Sequence, residues 1–146
     1  GGTENLYGIA GLAKAMDLAY KDVEGHQRHV QALKTHMIES LQKHFDDIYF
    51  HGETNPEKSL YTVLNCSFPK TEKAGMLLFT LDLKGVACSG GSACSSGAVK
   101  GSHVLEGIAA DGSRPNVRFS FSRYTTQAEI DFAVEKLVEI FSTTLV

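Results

Sequence analysis

The sequence predicts an α+β fold in which helices cover one face of a small mixed sheet. Apolar residues recur at spacings of three and four near both ends of the chain, and this spacing is typical of amphipathic helices. Between these ends lie short runs rich in β-branched and aromatic residues, which favour strands. The resulting order is helix, strands, helix, strand, loop, strand and helix, and a small sheet with helices packed on it accommodates that order.

The first third of the chain is predicted to be helical. An apolar stripe runs through it and continues after Gly25, which is expected to bend the helix. Such a stripe normally packs against other elements, so it is predicted to belong to the core. Its residues are Ile9, Leu12, Ala13, Met16, Ala19, Tyr20, Val23, Val30, Leu33, Met37, Leu41 and Phe45. Thr3 is the expected N-terminal cap.

The middle of the chain is predicted to contain strands and one helix. Runs 48–51 and 60–68 have strand composition. A helix is expected over 72–84, with Gly85 as its C-terminal stop. A short strand over 86–88 is expected to follow.

The last third is predicted to contain two helices around a strand. Ser102 is placed to cap a short helix that runs to residue 108. Residues 116–122 alternate apolar and polar side chains, as a half-buried strand does. Thr126 and Glu129 have the spacing of a capping box, and a second apolar stripe follows them.

Composition limits the classes of function. A chain of 146 residues predicts one domain, and 42% hydrophobic and 21% charged residues are ordinary for a soluble globular protein. A net charge of -3 argues against a nucleic-acid surface. No apolar run approaches the length of a membrane-spanning helix, and no signal peptide is visible. Three cysteines without a metal-finger spacing favour a reducing compartment, so a cytoplasmic location is expected.

One segment has a composition unlike the rest of the chain. The thirteen residues 85–97 carry no charge and include four glycines, four serines and two cysteines, Cys88 and Cys94. Glycine and serine disfavour a helix, and the segment has little apolar surface to bury. It is therefore expected to be a loop that carries a thiol on a mobile tether. Such a thiol suits chemistry in which sulfur is collected at one place and delivered at another.

The segment contains Gly-Gly-Ser-Ala-Cys-Ser at 90–95 and is followed by Ser-His-Val-Leu at 102–105. These motifs resemble the reactive-cysteine loop of the cysteine desulfurases, which are pyridoxal 5'-phosphate (PLP) enzymes of the class V aminotransferase group. Gly-Thr-Glu-Asn at 2–5 and Val-Arg-Phe-Ser-Phe-Ser-Arg-Tyr-Thr at 117–125 match further family motifs. The resemblance covers essentially the whole chain but only about the last third of a family member.

The resemblance implies a domain assignment. Residues 1–146 would form the small C-terminal domain of a fold-type-I PLP enzyme, with the reactive-cysteine loop at 88–100. The cofactor-anchoring lysine of the family lies in a motif that none of the ten lysines here matches. The chain is thus expected to be a piece of a longer protein, to lack the N-terminal PLP-lysine domain and to be inactive alone.

The resemblance also implies roles for three residues. Cys94 would be the nucleophile that takes sulfur from L-cysteine, leaving L-alanine and a persulfide on the enzyme. Arg118 would bind the α-carboxylate of the substrate, although an ordinary exposed strand arginine is the alternative. Thr3 would reach the PLP phosphate of the other subunit in a homodimer, a role compatible with capping a helix.

The remaining candidates are predicted to be structural. Cys66 and Cys88 are expected to be packed, and Arg123 to have a structural or peripheral role. His26 and His29 are one helical turn apart and could share a metal, but solvated helix residues are the favoured interpretation, and no metal is expected. His103 is expected to make local hydrogen bonds.

Two other functions stay open from the sequence. One is a related PLP lyase acting on selenocysteine or cystine, which can work without this cysteine. The other is a stand-alone sulfur carrier or interaction domain. The expected partners are L-cysteine and a sulfur-acceptor protein, such as an iron–sulfur scaffold or a tRNA-thiolation protein, with neither nucleic acid nor membrane.

Overall fold

A computed structural model describes residues 2–71, 74–90 and 102–142. In chain order the elements are α1 (Leu6–Tyr20), α2 (Val23–His44), β1 (Tyr49–His51), β2 (Val63–Ser67), a 3₁₀ turn (Ala74–Met76), α3 (Leu77–Leu83), α4 (His103–Gly107), β3 (Asn116–Ser120) and α5 (Gln127–Ser142). This order confirms the predicted α+β class.

The three described strands form one sheet in the order β1–β2–β3, and both pairings are antiparallel. The prediction of a mixed sheet is therefore wrong for the described residues. The prediction of a strand over 86–88 is also wrong, because these residues pair with no described strand, and only the next residue, Ser89, makes an isolated bridge, to Arg118. A single bridge does not make a strand, so the composition of the segment was not sufficient to predict its structure.

The core lies between one face of this sheet and the helices α2, α3 and α5. Alternation along the strands sends Leu64, Cys66, Val117 and Phe119 into it. The helices contribute apolar side chains at helical spacing, including Val30, Met37, Leu41, Leu77, Leu81, Ile130, Val134 and Leu137. The prediction of helices on one face of the sheet is confirmed, as is the core assignment of Val30, Leu33, Met37 and Leu41 on α2. It is wrong for Val23 in the first turn of α2, which is 43% exposed.

The junction between α1 and α2 differs from the predicted bend at Gly25. The first helix ends at Tyr20 and the second begins at Val23, so Gly25 lies inside α2. The Asp22 side chain caps α2 by accepting a hydrogen bond of 3.0 Å from the Gly25 backbone N–H. In this rotamer of Asp22, a Cβ at position 25 would overlap with the carboxylate, so any other residue there would require the Asp22 side chain to turn.

Helix α1 contradicts the predicted core. None of its residues is buried, and Leu6, Ile9, Leu12 and Met16 are each at least half exposed. Periodicity identified the apolar residues of α1 but not what covers them. The cap is also different from the prediction, since Asn5 and not Thr3 caps α1, accepting a 3.0 Å hydrogen bond from the Gly8 N–H.

Two predicted helix termini are confirmed. Gly85 follows α3 with a φ of 83°, in the left-handed region that glycine adopts without strain, and the Val86 N–H bonds to the Leu81 carbonyl. At α5, the Glu129 carboxylate accepts from the Thr126 N–H at 2.7 Å, and the Thr126 hydroxyl accepts from the Glu129 N–H at 3.3 Å.

Arg114 ties the loop before β3 to the other two strands. Its side chain is only 9% exposed and donates to the Asp47 carboxylate at 2.7 Å and to the Asp47 carbonyl at 2.6 Å. It also donates to the Ser67 hydroxyl at 3.1 Å and lies 4.7 Å from the centre of the Tyr49 ring. These contacts fix the start of β3 relative to β1 and β2.

Within the described residues, no helix is long and apolar enough to cross a bilayer.

We expect the amides of α1 to exchange hydrogen for deuterium at least about ten times faster than those in the middle of α2 in the 146-residue chain. The reason is that α1 buries no side chain, and a 15-residue helix is only marginally stable by itself. Mass spectrometry of peptides from α1 and α2 in one sample gives the comparison. Equal protection of the two helices would contradict it.

We expect Asp47→Asn to lower the thermal stability of the chain near neutral pH. The hydrogen bond from Arg114 lowers the pKa of Asp47 below its ordinary value. The folded-state pKa is thus below the unfolded one, and this carboxylate stabilises the fold above about pH 3.9 but loses that effect as the pH falls through the lowered pKa. The difference in Tm between wild type and variant should therefore shrink in acid. Asp46→Asn, an exposed neighbour, is the control, and a pH-independent difference for Asp47→Asn would contradict the prediction.

Candidate functional site

The sheet face opposite the core carries a row of polar side chains. The strand register aligns His51 with Asn65 and Asn65 with Arg118, and the isolated bridge aligns Arg118 with Ser89. Residues directly opposite each other in a sheet project from the same face. These four residues therefore form one line across the sheet, which we call the polar row.

Ser89 holds the outer edge of β3. The Arg118 N–H donates to the Ser89 carbonyl at 2.6 Å, and the Ser89 N–H donates to the Arg118 carbonyl at 3.2 Å. The chain then continues through Gly90, where a Cβ would lie 3.0 Å from a methyl carbon of Leu78. The point at which the chain leaves the sheet is thus set by two hydrogen bonds, and Leu78 leaves little room for a side chain at position 90.

Asn65 and Arg118 lie directly opposite each other on β2 and β3, in the type of antiparallel pair with the shorter Cα–Cα distance. Because the backbone groups of Arg118 point to Ser89, they do not point to β2, and Asn65 and Arg118 form a non-hydrogen-bonded pair. In such pairs the two Cα atoms are about 4.5 Å apart and the side chains are at their closest. Both residues are half-buried, so a polar ligand at this point would be partly removed from water.

Arg118 occupies the position that the sequence analysis selected, on a strand and on the face away from the core. Its guanidinium can offer two parallel N–H groups to a planar carboxylate. Arg123 lies after β3, is exposed and is not part of the polar row. The two arginines thus differ in burial and position, and their predicted roles remain predictions.

Cys94 and most of the predicted reactive-cysteine loop, 88–100, lie outside the described residues. The two described thiols are packed, as predicted. Cys66 is fully buried, and burial raises its pKa. Burial, followed by the negative charge of Asp82, raises the pKa of Cys88. Both environments disfavour the thiolate, which is the reactive form of cysteine.

Thr3 is exposed and precedes α1, without a described hydrogen bond to the polar row. Two histidines on α2 make contacts beyond solvent, whereas His29 was predicted to be a solvated helix residue. His29 lies 3.0 Å from the Thr125 carbonyl, and His36 lies 2.6 Å from the Asp131 carboxylate, so neither is simply solvated. His103 is exposed and lies 3.9 Å from Glu106. In the part of the chain that the structure describes, no three His, Cys, Asp or Glu side chains are grouped as metal ligands.

Comparison with known proteins places this geometry in a family. The aminotransferase class-V family matches residues 1–132. The chain belongs to the class-V aminotransferase family. It is similar to the cysteine desulfurase IscS of Dictyoglomus turgidum, with 34% identity over 141 residues that are 95% of this chain and 35% of the relative. It is also similar to the cysteine desulfurase of Homo sapiens, with 31% identity over 90% of this chain and 28% of the relative.

Solved structures agree with the fold of this class-V chain. A NifS-like protein superposes with a TM-score of 0.78 at 27% identity, covering 98% of this chain and 35% of its own. A NifS-like protein from Rickettsia africae gives a TM-score of 0.79 at 23% identity, a likeness of fold alone. The class-V chain spans about a third of the length of the relatives it matches.

Lys34 is the described lysine with the chemistry closest to that of a cofactor anchor in this class-V chain. Burial lowers its pKa, as is typical of lysines that form Schiff bases. The residue is, however, only 2% exposed, and its ammonium donates to the Ser59 hydroxyl at 3.0 Å and to the Leu60 carbonyl at 2.9 Å. A cofactor aldehyde cannot reach it without disrupting the core. Lys34 is therefore a structural lysine that ties the loop before β2 to α2.

The sequence analysis missed Asn65, Ser89 and Arg114. Asn65 was an unremarkable polar residue within a predicted strand, and Ser89 was one of four serines in a loop. Only the strand register reveals Asn65 and Ser89 as neighbours of Arg118, because they are 53 and 29 positions away from it in the sequence.

Proposed function

We propose that this chain is the C-terminal domain of a cysteine desulfurase, which removes sulfur from L-cysteine and leaves L-alanine and a persulfide on Cys94. One observation carries the proposal. The bridge between Ser89 and Arg118 anchors the cysteine segment directly beside the arginine that suits the α-carboxylate of an amino acid. A carboxylate clamp and a tethered thiol are the two parts that sulfur removal from an amino acid requires of this domain.

Arg118 binds the substrate carboxylate in this proposal. A guanidinium keeps its charge at all physiological pH values and matches the carboxylate in plane and spacing. Its strand is hydrogen-bonded on both sides, to β2 and to Ser89, so the backbone that carries the guanidinium fork, its two parallel N–H groups, is rigid. The substrate is thereby oriented with its side chain free to face the thiol.

Cys94 takes the sulfur. Cys94 is five positions after Ser89, and a chain of that length spans at most about 18 Å, which is enough to reach a substrate held at Arg118. Its thiolate forms an S–S bond with the substrate sulfur while the Cβ–S bond of the substrate breaks. The electron pair of that bond stays on carbon, which then takes a proton to give alanine. Cys66 and Cys88, with raised pKa values, are poor nucleophiles by comparison.

The cofactor of the proposed enzyme is PLP, held mainly by residues beyond this chain. Thr3 fits a contact to its phosphate, because the hydroxyl is exposed just ahead of the N-terminus of α1. When bound, PLP supplies an electron sink that weakens bonds of the substrate. The anchoring lysine is expected from outside these 146 residues, because none of the ten lysines matches the motif of the family and Lys34 is buried in the core. The 146 residues alone are accordingly expected to be inactive.

The proposal extends to assembly and location. The whole enzyme is a homodimer in which Thr3 serves the cofactor of the other subunit. It works in the cytoplasm and passes the persulfide sulfur to an acceptor protein, such as an iron–sulfur scaffold or a tRNA-thiolation protein. The selenocysteine or cystine lyase and the stand-alone sulfur carrier are alternatives that the following experiments address.

We expect Cys94→Ser in the full-length protein to abolish sulfide release from L-cysteine while L-cysteine still binds. A hydroxyl is a far weaker nucleophile than a thiolate, whereas the carboxylate contact at Arg118 is unchanged. After one turnover, mass spectrometry of the wild-type protein should show one added sulfur on the Cys94 peptide.

Cys88→Ser is the matched control and should retain activity. Full sulfur release by Cys94→Ser would favour the lyase instead. An added sulfur on Cys88 rather than on Cys94 would show that the nucleophile is misassigned.

We expect Arg118→Ala in the full-length protein to raise the KM for L-cysteine on the order of 100-fold, because a charge-assisted bidentate contact is worth about 2–4 kcal/mol. Arg118→Lys should restore little, since a point charge cannot reproduce the planar fork. Steady-state kinetics with Arg123→Ala as the control measures the effect. An unchanged KM in both Arg118 variants would make Arg118 an ordinary strand residue.

A further inference from the structure

Asn65 carries an amide oxygen with an unusual environment. The Oδ1 atom is shielded from solvent and accepts no hydrogen bond from the described part of the chain. Leaving a buried acceptor without a partner is unfavourable by about 1–3 kcal/mol, so such an atom normally accepts a hydrogen bond from a neighbouring side chain, an ordered water or a ligand. Asn116 on the same face provides a contrast, because its oxygen lies 2.7 Å from His51 Nε2 and its amide nitrogen donates to the Arg114 carbonyl.

The register identifies the group that Asn65 Oδ1 can serve. Arg118 is its direct, non-hydrogen-bonded neighbour on β3, with the side chains at their closest approach. A guanidinium has five N–H groups, and a bidentate contact with a carboxylate uses two of them. An N–H on another edge of the guanidinium can therefore be donated to Asn65 while the fork holds a substrate.

We propose that Asn65 is a positioning residue for the substrate carboxylate, whose Oδ1 accepts an N–H of Arg118 and fixes the plane of the guanidinium. This inference rests on the proposed function, because it assumes that Arg118 binds the carboxylate. It acts on the geometry of binding and not on the reacting atoms, so it affects affinity more than the rate of turnover.

The neutrality of Asn65 is part of the argument. An aspartate would be nearly the same size and would hold the guanidinium at least as firmly, but its charge would pair with Arg118 and compete with the substrate carboxylate. An asparagine orients the arginine without neutralising it. The two substitutions Asn65→Ala and Asn65→Asp therefore separate loss of orientation from loss of charge.

The test is a double-mutant cycle in the full-length, cofactor-loaded enzyme, with L-alanine as the binding probe and L-cysteine as the substrate. Asn65→Ala should weaken L-alanine binding about 10-fold, as expected for one lost hydrogen bond at a buried site. It should raise the KM for L-cysteine by a similar factor, while kcat stays within about threefold of the wild-type value. Asn65→Asp should weaken binding more, approaching Arg118→Ala, while its Tm stays at or above that of the wild type. In the Arg118→Ala background, Asn65→Ala should change the Kd for L-alanine less than twofold.

Three outcomes would overturn the inference, and they are distinguishable. If Arg118→Ala weakens binding but neither Asn65 variant does, the proposed function stands and the positioning role fails. If Asn65→Ala weakens binding by the same factor with and without Arg118, Asn65 acts independently of the arginine. If Arg118→Ala itself leaves L-alanine binding unchanged, the carboxylate site of the proposed function fails, and the role of Asn65 fails with it. Because Asn65→Asp keeps the size of the native side chain, it tests the inference even if Asn65→Ala does not fold.

Discussion

Strand β3 is hydrogen-bonded along both edges, to β2 on one side and to Ser89 on the other, and the candidate site depends on this double pairing. The core fixes which side chains face inward, because Val117 and Phe119 must be buried. Arg118, between them, must then face away from the core. A slip of one residue in the register would exchange the two sets and drive a charged guanidinium into the apolar interior. The hydrophobic pattern of β3 thus determines the direction of its arginine.

The Arg114 contacts protect that register at the start of the strand. An arginine that is nearly buried and bonded to Asp47 and Ser67 cannot shift along the sheet without losing several hydrogen bonds together. Asp111, earlier in the same loop, is held by the Ser113 hydroxyl and N–H, and these contacts lower its pKa to about 2. The loop is thus ordered by local polar contacts, although it has almost no core of its own. The position of Arg118 in the sheet therefore depends on contacts of Arg114, which lies four residues earlier and outside the polar row.

The parts of the fold that could be predicted from the sequence are those that depend on short separations. The capping box of Thr126 and Glu129 and the glycine stop at Gly85 involve residues within five positions of each other, and both were predicted correctly. The environment of α1 was not, because the apolar pattern of a helix does not reveal what covers it. Arg118 was identified through a family motif. Its neighbours Asn65 and Ser89 could not be, since cross-strand partners depend on the register of the whole sheet.

The cap at the start of α2 also limits how this sequence can change over evolutionary time. Asp22 needs the Gly25 N–H for its carboxylate, and the carboxylate occupies the space in which any other residue at 25 would place its Cβ. Any other residue at position 25 would therefore require the exposed Asp22 side chain to turn into another rotamer, and Thr126 makes the same kind of cap at α5 with Glu129 three positions after it. Changes at positions 22 and 25 are thus coupled through the rotamer of the aspartate and not through loss of the cap.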